Sequence, residues 1–232
     1  MQLRSIALAA LAAVSFAAHA DIVALWDYNA TPTTTKQTQS ANGASFATVG
    51  GTTTAFVGGV TGQALNTTTY AAQGTGDLTR GVQYMIDTTG YIDLVFSFAQ
   101  RNSNTASAWT MLQYTVDGTN WINGTSFLMP SASATSFVNG LSFDFSSITA
   151  ADNNENFGIR LLATFAPGTS AYAPTANGQT YATGGTIRYD NVLLQGDAMP
   201  DLPPAVPEPQ TYALMLAGLA GVSLIARRRR AN

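Results

Sequence analysis

With ten basic against thirteen acidic residues in 232 and no cysteine, the chain lacks both the basic excess that neutralises phosphates and the thiols of a disulfide scaffold. Its only histidine is His19, so everything after that position is without a Ser-His-Asp triad, a Cys-His pair or a zinc site built on imidazole and thiolate. The net charge of −3 conceals an asymmetry: Arg4 and the run Arg227, Arg228, Arg229, Arg230 sit at the ends, and between residues 21 and 201 five basic residues face twelve acidic ones, a charge of −7.

Arg4 precedes an uncharged apolar run over 6–18, and Ala18-His19-Ala20 supplies the small residues of a cleavage site. Residues 1–20 therefore read as a secretory signal peptide, with the mature chain starting at Asp21. A first strand is expected over 22–28. The Thr- and Gly-rich stretch 31–62 follows, with short apolar pieces at 46–49 and 55–57 that suit loops and weak edge strands. The segment 81–86 is a further strand. In 91–99, Ile92, Leu94, Phe96 and Phe98 fall on one face and Asp93, Val95 and Ser97 on the other, the period-two pattern of a half-buried strand.

Alternation recurs over 109–116, with Leu112, Tyr114 and Val116 inward, and Asp117-Gly118 then fits a tight hairpin turn before Trp121. Further strands are expected over 137–145, 157–165 and 186–194, and a single helical turn over 146–154. No amphipathic helix of ten residues occurs between 21 and 201, so strands must pack on strands. The expected body, residues 21–196, is all-β: an antiparallel sandwich of roughly eight to ten strands closed by Greek-key connections. The hairpin ending in Asp-Gly with a following Trp, and the last strand with Asp190-Asn191 before Val192, resemble strand ends of extracellular jelly-roll modules that bind carbohydrate.

Residues 197–209 form a proline-rich linker, in which Pro207 and Pro209 fix φ and withhold backbone donors on either side of Glu208. An uncharged helix is expected over 210–226. Its core from Tyr212 to Ala226 covers about 22 Å, a short span that a locally thinned bilayer accommodates. Arg227, Arg228, Arg229 and Arg230 in the tail 227–232 then hold that end on the cytoplasmic side. Pro-Glu-Pro, a short apolar helix and an arginine cluster in that order resemble the PEP-CTERM sorting signal. The resemblance implies exosortase as a partner, an inner-membrane precursor, and a product released to the cell surface or to the exopolysaccharide matrix.

Within the body, Asp27 in the first strand and Asp190 in the last are expected side by side, a pairing that suits structural Ca²⁺ with Asn191 or backbone carbonyls as further oxygens; the alternative is solvent or pairing with Arg188 and Arg160. Tyr172 and Tyr181, in a long loop, are the aromatic pair expected to be exposed and available to stack on sugars, against the alternative that sandwich aromatics pack the core. Glu155 is the one glutamate of the body and sits in a polar turn, a poor basis for the two placed carboxylates of a glycosidase. The expectation is a non-enzymatic exported protein without a cofactor, structural or adhesive in role; the alternative is a carbohydrate-binding module, calcium-stabilised or not.

Overall fold

The computed structural model describes residues 20–29 and 39–200. The expectations for the signal peptide up to His19, for Pro207, Glu208 and Pro209, for the apolar helix and for Arg227, Arg228, Arg229 and Arg230 lie outside the described residues. Ala20 is described; it is exposed and directly precedes the first strand, β1 (Asp21–Trp26), so cleavage behind it leaves that strand whole.

Two antiparallel sheets face each other. The strands in chain order are β2 (Gln39–Ser40), β3 (Ala44–Val49), β4 (Thr53–Gly58), β5 (Gln63–Thr68), β6 (Gly81–Ile86), β7 (Tyr91–Asn102), β8 (Trp109–Thr115), β9 (Ile122–Leu128), β10 (Val138–Asp144), β11 (Gly158–Ala163) and β12 (Ile187–Ala198). One sheet runs β10-β7-β12-β1-β2, with β5 also paired to β12 and β4 to β5; the other runs β3-β6-β11-β8-β9. From β5 onward the chain places β5, β7, β10 and β12 in the first sheet and β6, β8, β9 and β11 in the second, in the orders β5-β12-β7-β10 and β6-β11-β8-β9. That is the order of an eight-stranded jelly roll. The remaining strands extend its edges.

Strand β12 is the hinge of this arrangement. Its first residues, from Ile187 to Tyr189, pair with β5, and from Val192 to Gly196 it pairs with β1. Along β7 its register slips between Asp190 and Leu193, a bulge at which Asn191 adopts φ 47°. The bulge falls where one neighbour gives way to the other. It leaves Asp190 fully buried, with Oδ2 accepting from the Val60 N–H at 2.7 Å and Oδ1 from the Asn191 N–H at 2.8 Å. A Cβ on Gly59 would come within 2.4 Å of Asp190 Oδ2, so only glycine lets the 59–62 turn close over that carboxylate.

Between the sheets lies an aromatic interior. Phe145 meets Phe157 edge-on at 5.1 Å and Tyr114 at 5.5 Å, while Trp26 packs on Tyr84 at 4.9 Å. The hydroxyls of Tyr28 and Tyr84 pair at 2.8 Å, which satisfies two polar groups that burial would otherwise strand. At one end the interior turns polar. Gln100 donates through Nε2 to Asn102 Oδ1 and Thr110 Oγ1, and Asn102 donates through Nδ2 to the Ser107 carbonyl and to Thr175 Oγ1, all buried.

The structure adds strands to those read from the sequence. β5 stands where no strand is expected, because polar Gln63, Asn66 and Thr68 break up its buried residues, and β9 is the returning strand of the hairpin expected at Asp117-Gly118, whose polar, Gly-containing residues set no bounds for it in advance. Asp117-Gly118 opens a six-residue loop, 116–121, and not a two-residue turn; Gly118 has φ 75° and Asp117 does not share the left-handed region. The expected helical turn over 146–154 shrinks to a 3-10 turn, Thr149–Ala151, with a second one at Ser131–Ala134. β12 continues to Ala198, two residues into the expected linker, because Asp197 and Ala198 pair with Ile92 and Tyr91.

Candidate functional site on the five-stranded sheet

In strand β11, Ile159, Leu161 and Ala163 belong to the core between the sheets, so the pleat turns Arg160 to the outer face of the five-stranded sheet. The registers then align one residue from each strand into a single row. Ala47 of β3 lies opposite Gln83 of β6, Gln83 opposite Arg160, Arg160 opposite Gln113 of β8, and Gln113 opposite Asn123 of β9. Four of these five side chains are amides or a guanidinium, and the row crosses about 19 Å at ordinary strand spacing.

The groups of the row are already joined. Arg160 donates from Nε at 3.0 Å and from an η-nitrogen at 2.9 Å to Gln83 Oε1, and Gln113 donates from Nε2 to Asn123 Oδ1 at 2.8 Å. The Arg160 guanidinium carbon also lies 3.7 Å from the Trp121 ring centroid, a contact worth about 0.5–2 kcal/mol depending on exposure. All these partners are neutral. Burial pulls the Arg160 guanidinium below its ordinary range, since a charge partly withdrawn from water is less favoured. The row thus offers a planar cation, amide donors and acceptors, and the edge of an indole on one surface.

Glycine keeps one flank of the row low. A Cβ on Gly158 would press on Met85 Sδ at 2.6 Å and displace that side chain, so glycine beside Arg160 on the outer face leaves the Met85 side chain its place. Trp121 is set in place by its own loop. Asp117 Oδ1 accepts from the Thr119 N–H at 2.8 Å and the Asn120 N–H at 2.7 Å, and Oδ2 accepts from Asn120 Nδ2 at 2.6 Å. These donors hold the Asp117 carboxyl well below the usual carboxylate range.

The residues picked from sequence are distributed otherwise. Tyr172 and Tyr181 are corrected: they are 2% and 7% exposed, and they stack on each other at 4.5 Å with Phe165 edge-on to Tyr172 at 4.6 Å. The Tyr181 hydroxyl donates to the Ala71 carbonyl and that of Tyr172 to the Thr75 and Gly76 carbonyls. The pair pins the loop over the end of the sandwich, and both rings lose the faces a sugar would need. Asp27 and Asp190 do come close enough to interact: burial, and then Asp27 among the lesser causes, raises the Asp190 carboxyl above its ordinary value. Asn191 is exposed beside them. Asp190 is held by backbone N–H groups and not by Arg188, and Arg160 is engaged by Gln83. Among the described residues no three His, Cys, Asp or Glu side chains gather as a metal would require. Glu155 is exposed.

Gln83, Gln113, Asn123 and Arg160 escaped the sequence reading because a row across strands has no signature along the chain. One trace was available: Arg160 is the single charge in the apolar run 157–165.

A PEP-CTERM protein-sorting motif matches residues 205–230, which implies an exported protein processed by an exosortase. No curated protein matches the chain. Among solved structures the chain is similar to the CBM22-1-GH10 modules of a Clostridium thermocellum endo-1,4-β-D-xylanase complexed with xylohexaose, at a TM-score of 0.43 and 11% identity over 65% of this chain; it spans only 26% of that one. It is also similar to the family 11 carbohydrate-binding module from Clostridium thermocellum in complex with a β-1,3-1,4-mixed-linked tetrasaccharide, at a TM-score of 0.36 and 14% identity over 71% of this chain and 94% of that one.

Since Asp117 organises the loop that carries Trp121, Asp117→Ala is expected to speed amide exchange at Thr119 and Asn120 and to red-shift tryptophan emission. Its depressed pKa fixes the acid limb: the loop stays ordered from neutral pH down to the ordinary carboxylate value near 4, and its order is lost only as pH falls below that towards the folded value. Exchange measured by mass spectrometry between pH 7 and 3 checks both; unchanged protection in the variant would refute the assignment.

Proposed function

We propose that the protein is a non-enzymatic adhesin of the extracellular matrix, released from the inner membrane by exosortase and retained by polysaccharide through the Gln83, Arg160, Gln113, Asn123 row and Trp121. The observation that carries this reading is the stacked Arg160–Trp121 pair in line with two linked amide groups. Sugar hydroxyls present donors and acceptors at every ring, and a strip of amides and guanidinium answers them with both. The indole adds an apolar surface that aligns a ring without demanding charge. A row of some 19 Å across five strands suits a chain of sugars better than one ring.

Glycan arrays with the mature body supply the test. Trp121→Ala and Arg160→Ala each should weaken retention about tenfold or more, as loss of a stacked ring or of a charged donor does, while Tyr172→Phe should leave it unchanged. Equal retention by all variants, or no glycan bound by the wild type, removes the reading of the body.

Sorting has its own measurement. The secreted form should have the intact mass of a chain starting at Asp21 and ending before the apolar helix, and replacement of Pro207, Glu208 and Pro209 by alanine should leave full-length material in the membrane fraction. A secreted product that retains Tyr212 and Arg227 overturns exosortase release.

Calcium is the second element of the proposal. Asp27 and Asp190 are the carboxylates that would hold it, Asn191 lies beside them, and the ion would supply positive charge where burial and Asp27 disfavour ionised Asp190. Because the folded state keeps the Asp190 proton more tightly than the unfolded chain, this group costs stability as pH rises from about 4 through its raised folded value. Millimolar Ca²⁺ should therefore raise the melting midpoint at pH 7, lose that effect near pH 4, and have none on Asp27→Asn. A midpoint indifferent to Ca²⁺ at pH 7 excludes the ion.

A further inference from the structure

The seven-stranded sheet carries a second arrangement that the row opposite does not use. Asn102 and Gln100 of β7 and Ile187 and Tyr189 of β12 are buried, so Arg101 and Arg188 between them point away from the core. The register sets them directly opposite each other. Facing like charges are destabilising at that spacing, and this body has only five basic residues against twelve acidic ones. Two of the five nevertheless share one position of the sheet.

Among the described residues their hydrogen-bond partners are all neutral. Arg101 donates to the Ala134 carbonyl at 3.3 Å, and Arg188 to Asn66 Oδ1 at 3.3 Å and the Gly58 carbonyl at 3.4 Å, all neutral acceptors at the long end of hydrogen bonding. The two arginines line a cavity of about 280 Å³ whose other walls, Ser103, Asn104, Thr105 and Thr186 among them, include no carboxylate. Its floor is fixed: the Ser103 N–H donates to the Thr186 carbonyl and the Thr186 N–H to Ser103 Oγ, both at 2.8 Å. That leaves the Ser103 hydroxyl proton without an acceptor among the described residues. Burial, and then the Arg101 charge, lowers the Arg188 guanidinium, as expected of a cation short of an anion.

We infer that Arg101 and Arg188 form an oxyanion site that takes the carboxylate of an acidic polysaccharide, with Ser103 as a third donor. Two guanidinium groups across one strand spacing can grip the two oxygens of a carboxylate, and hydroxyl and amide walls match the sugar that bears it. A phosphate monoester presents the same oxyanion chemistry but brings more charge to a body that already carries −7; a sulfate ester carries the same single charge as a carboxylate and differs in its three-oxygen shape, which two facing guanidinium forks match less well than the two oxygens of a carboxylate. The site lies on the opposite sheet from the Trp121 row and shares with that reading only the class of ligand. With both sites filled, one molecule bridges two glycan chains.

Calorimetric titration of the mature body with oligogalacturonate, with its carboxyl-reduced counterpart and with sulfated dextran tests this. The wild type should bind oligogalacturonate in a salt-sensitive manner and the carboxyl-reduced sugar at least about tenfold more weakly, the loss expected for a charge-assisted pair. Arg101→Gln/Arg188→Gln should lose the same factor while melting no lower than the wild type, since the change removes a like-charge contact; the single Arg101→Gln should fall between. Trp121→Ala should keep oligogalacturonate binding, so failure of the row on the other sheet reads out separately. The inference is overturned if the folded double variant binds oligogalacturonate as the wild type does, if the reduced sugar binds equally well, or if sulfated dextran alone is bound.

Discussion

The pleat of the β-strand governs this protein. Side chains two apart share a face, so a strand that buries Ile159 and Leu161 has no choice but to present Arg160 outward, and one that buries Ile187 and Tyr189 must present Arg188. The aromatic interior supplies the drive: with no disulfide available, stability rests on the apolar area that Trp26, Tyr84, Phe96, Phe98, Phe145 and Phe157 remove from water. Each outward cation is thus held in register by the inward residues that flank it. A one-residue slip would expose the core and bury the arginines together.

Electrostatics gives those outward cations their meaning. In a body of charge −7 neutralisation of each arginine by a neighbouring carboxylate is the ordinary expectation. Instead Arg160 contacts Gln83 and Trp121, and Arg101 and Arg188 contact carbonyls and Asn66. The carboxylates are spent on backbone: Asp117, Asp87 and Asp144 accept N–H donors within their own turns, and Asp190 closes the 59–62 turn. Acids organise loops here, and cations face outward over neutral partners.

Burial of Tyr172 and Tyr181 shows how composition alone misleads. Glycine, proline and threonine around them describe a loop, and loops usually lie at the surface. This loop caps one end of the sandwich, and its tyrosines reach inward to the carbonyls of Ala71, Thr75 and Gly76, groups that a covered loop must satisfy somewhere. Distance along the chain gave no hint of it, since those partners lie some hundred residues away. The stretch containing β5 was opaque for the opposite reason: Ala64, Leu65 and Thr67 are buried, yet Gln63, Asn66 and Thr68 between them read as coil.

By itself the sequence determined the fold class, the strands with an apolar residue at every second position of one face, as in β7 and β11, and the tripartite C-terminal signal, because each is a pattern between near neighbours and its physics is local. That the first strand pairs with the last, and so brings Asp27 near Asp190, was implied by the jelly-roll resemblance. Only the tertiary structure decided which side chains meet across strands. The row from Gln83 to Asn123 and the facing Arg101 and Arg188 depend on register, and register is set by the whole hydrophobic face of a sheet and by bulges such as that at Asn191, not by any one segment.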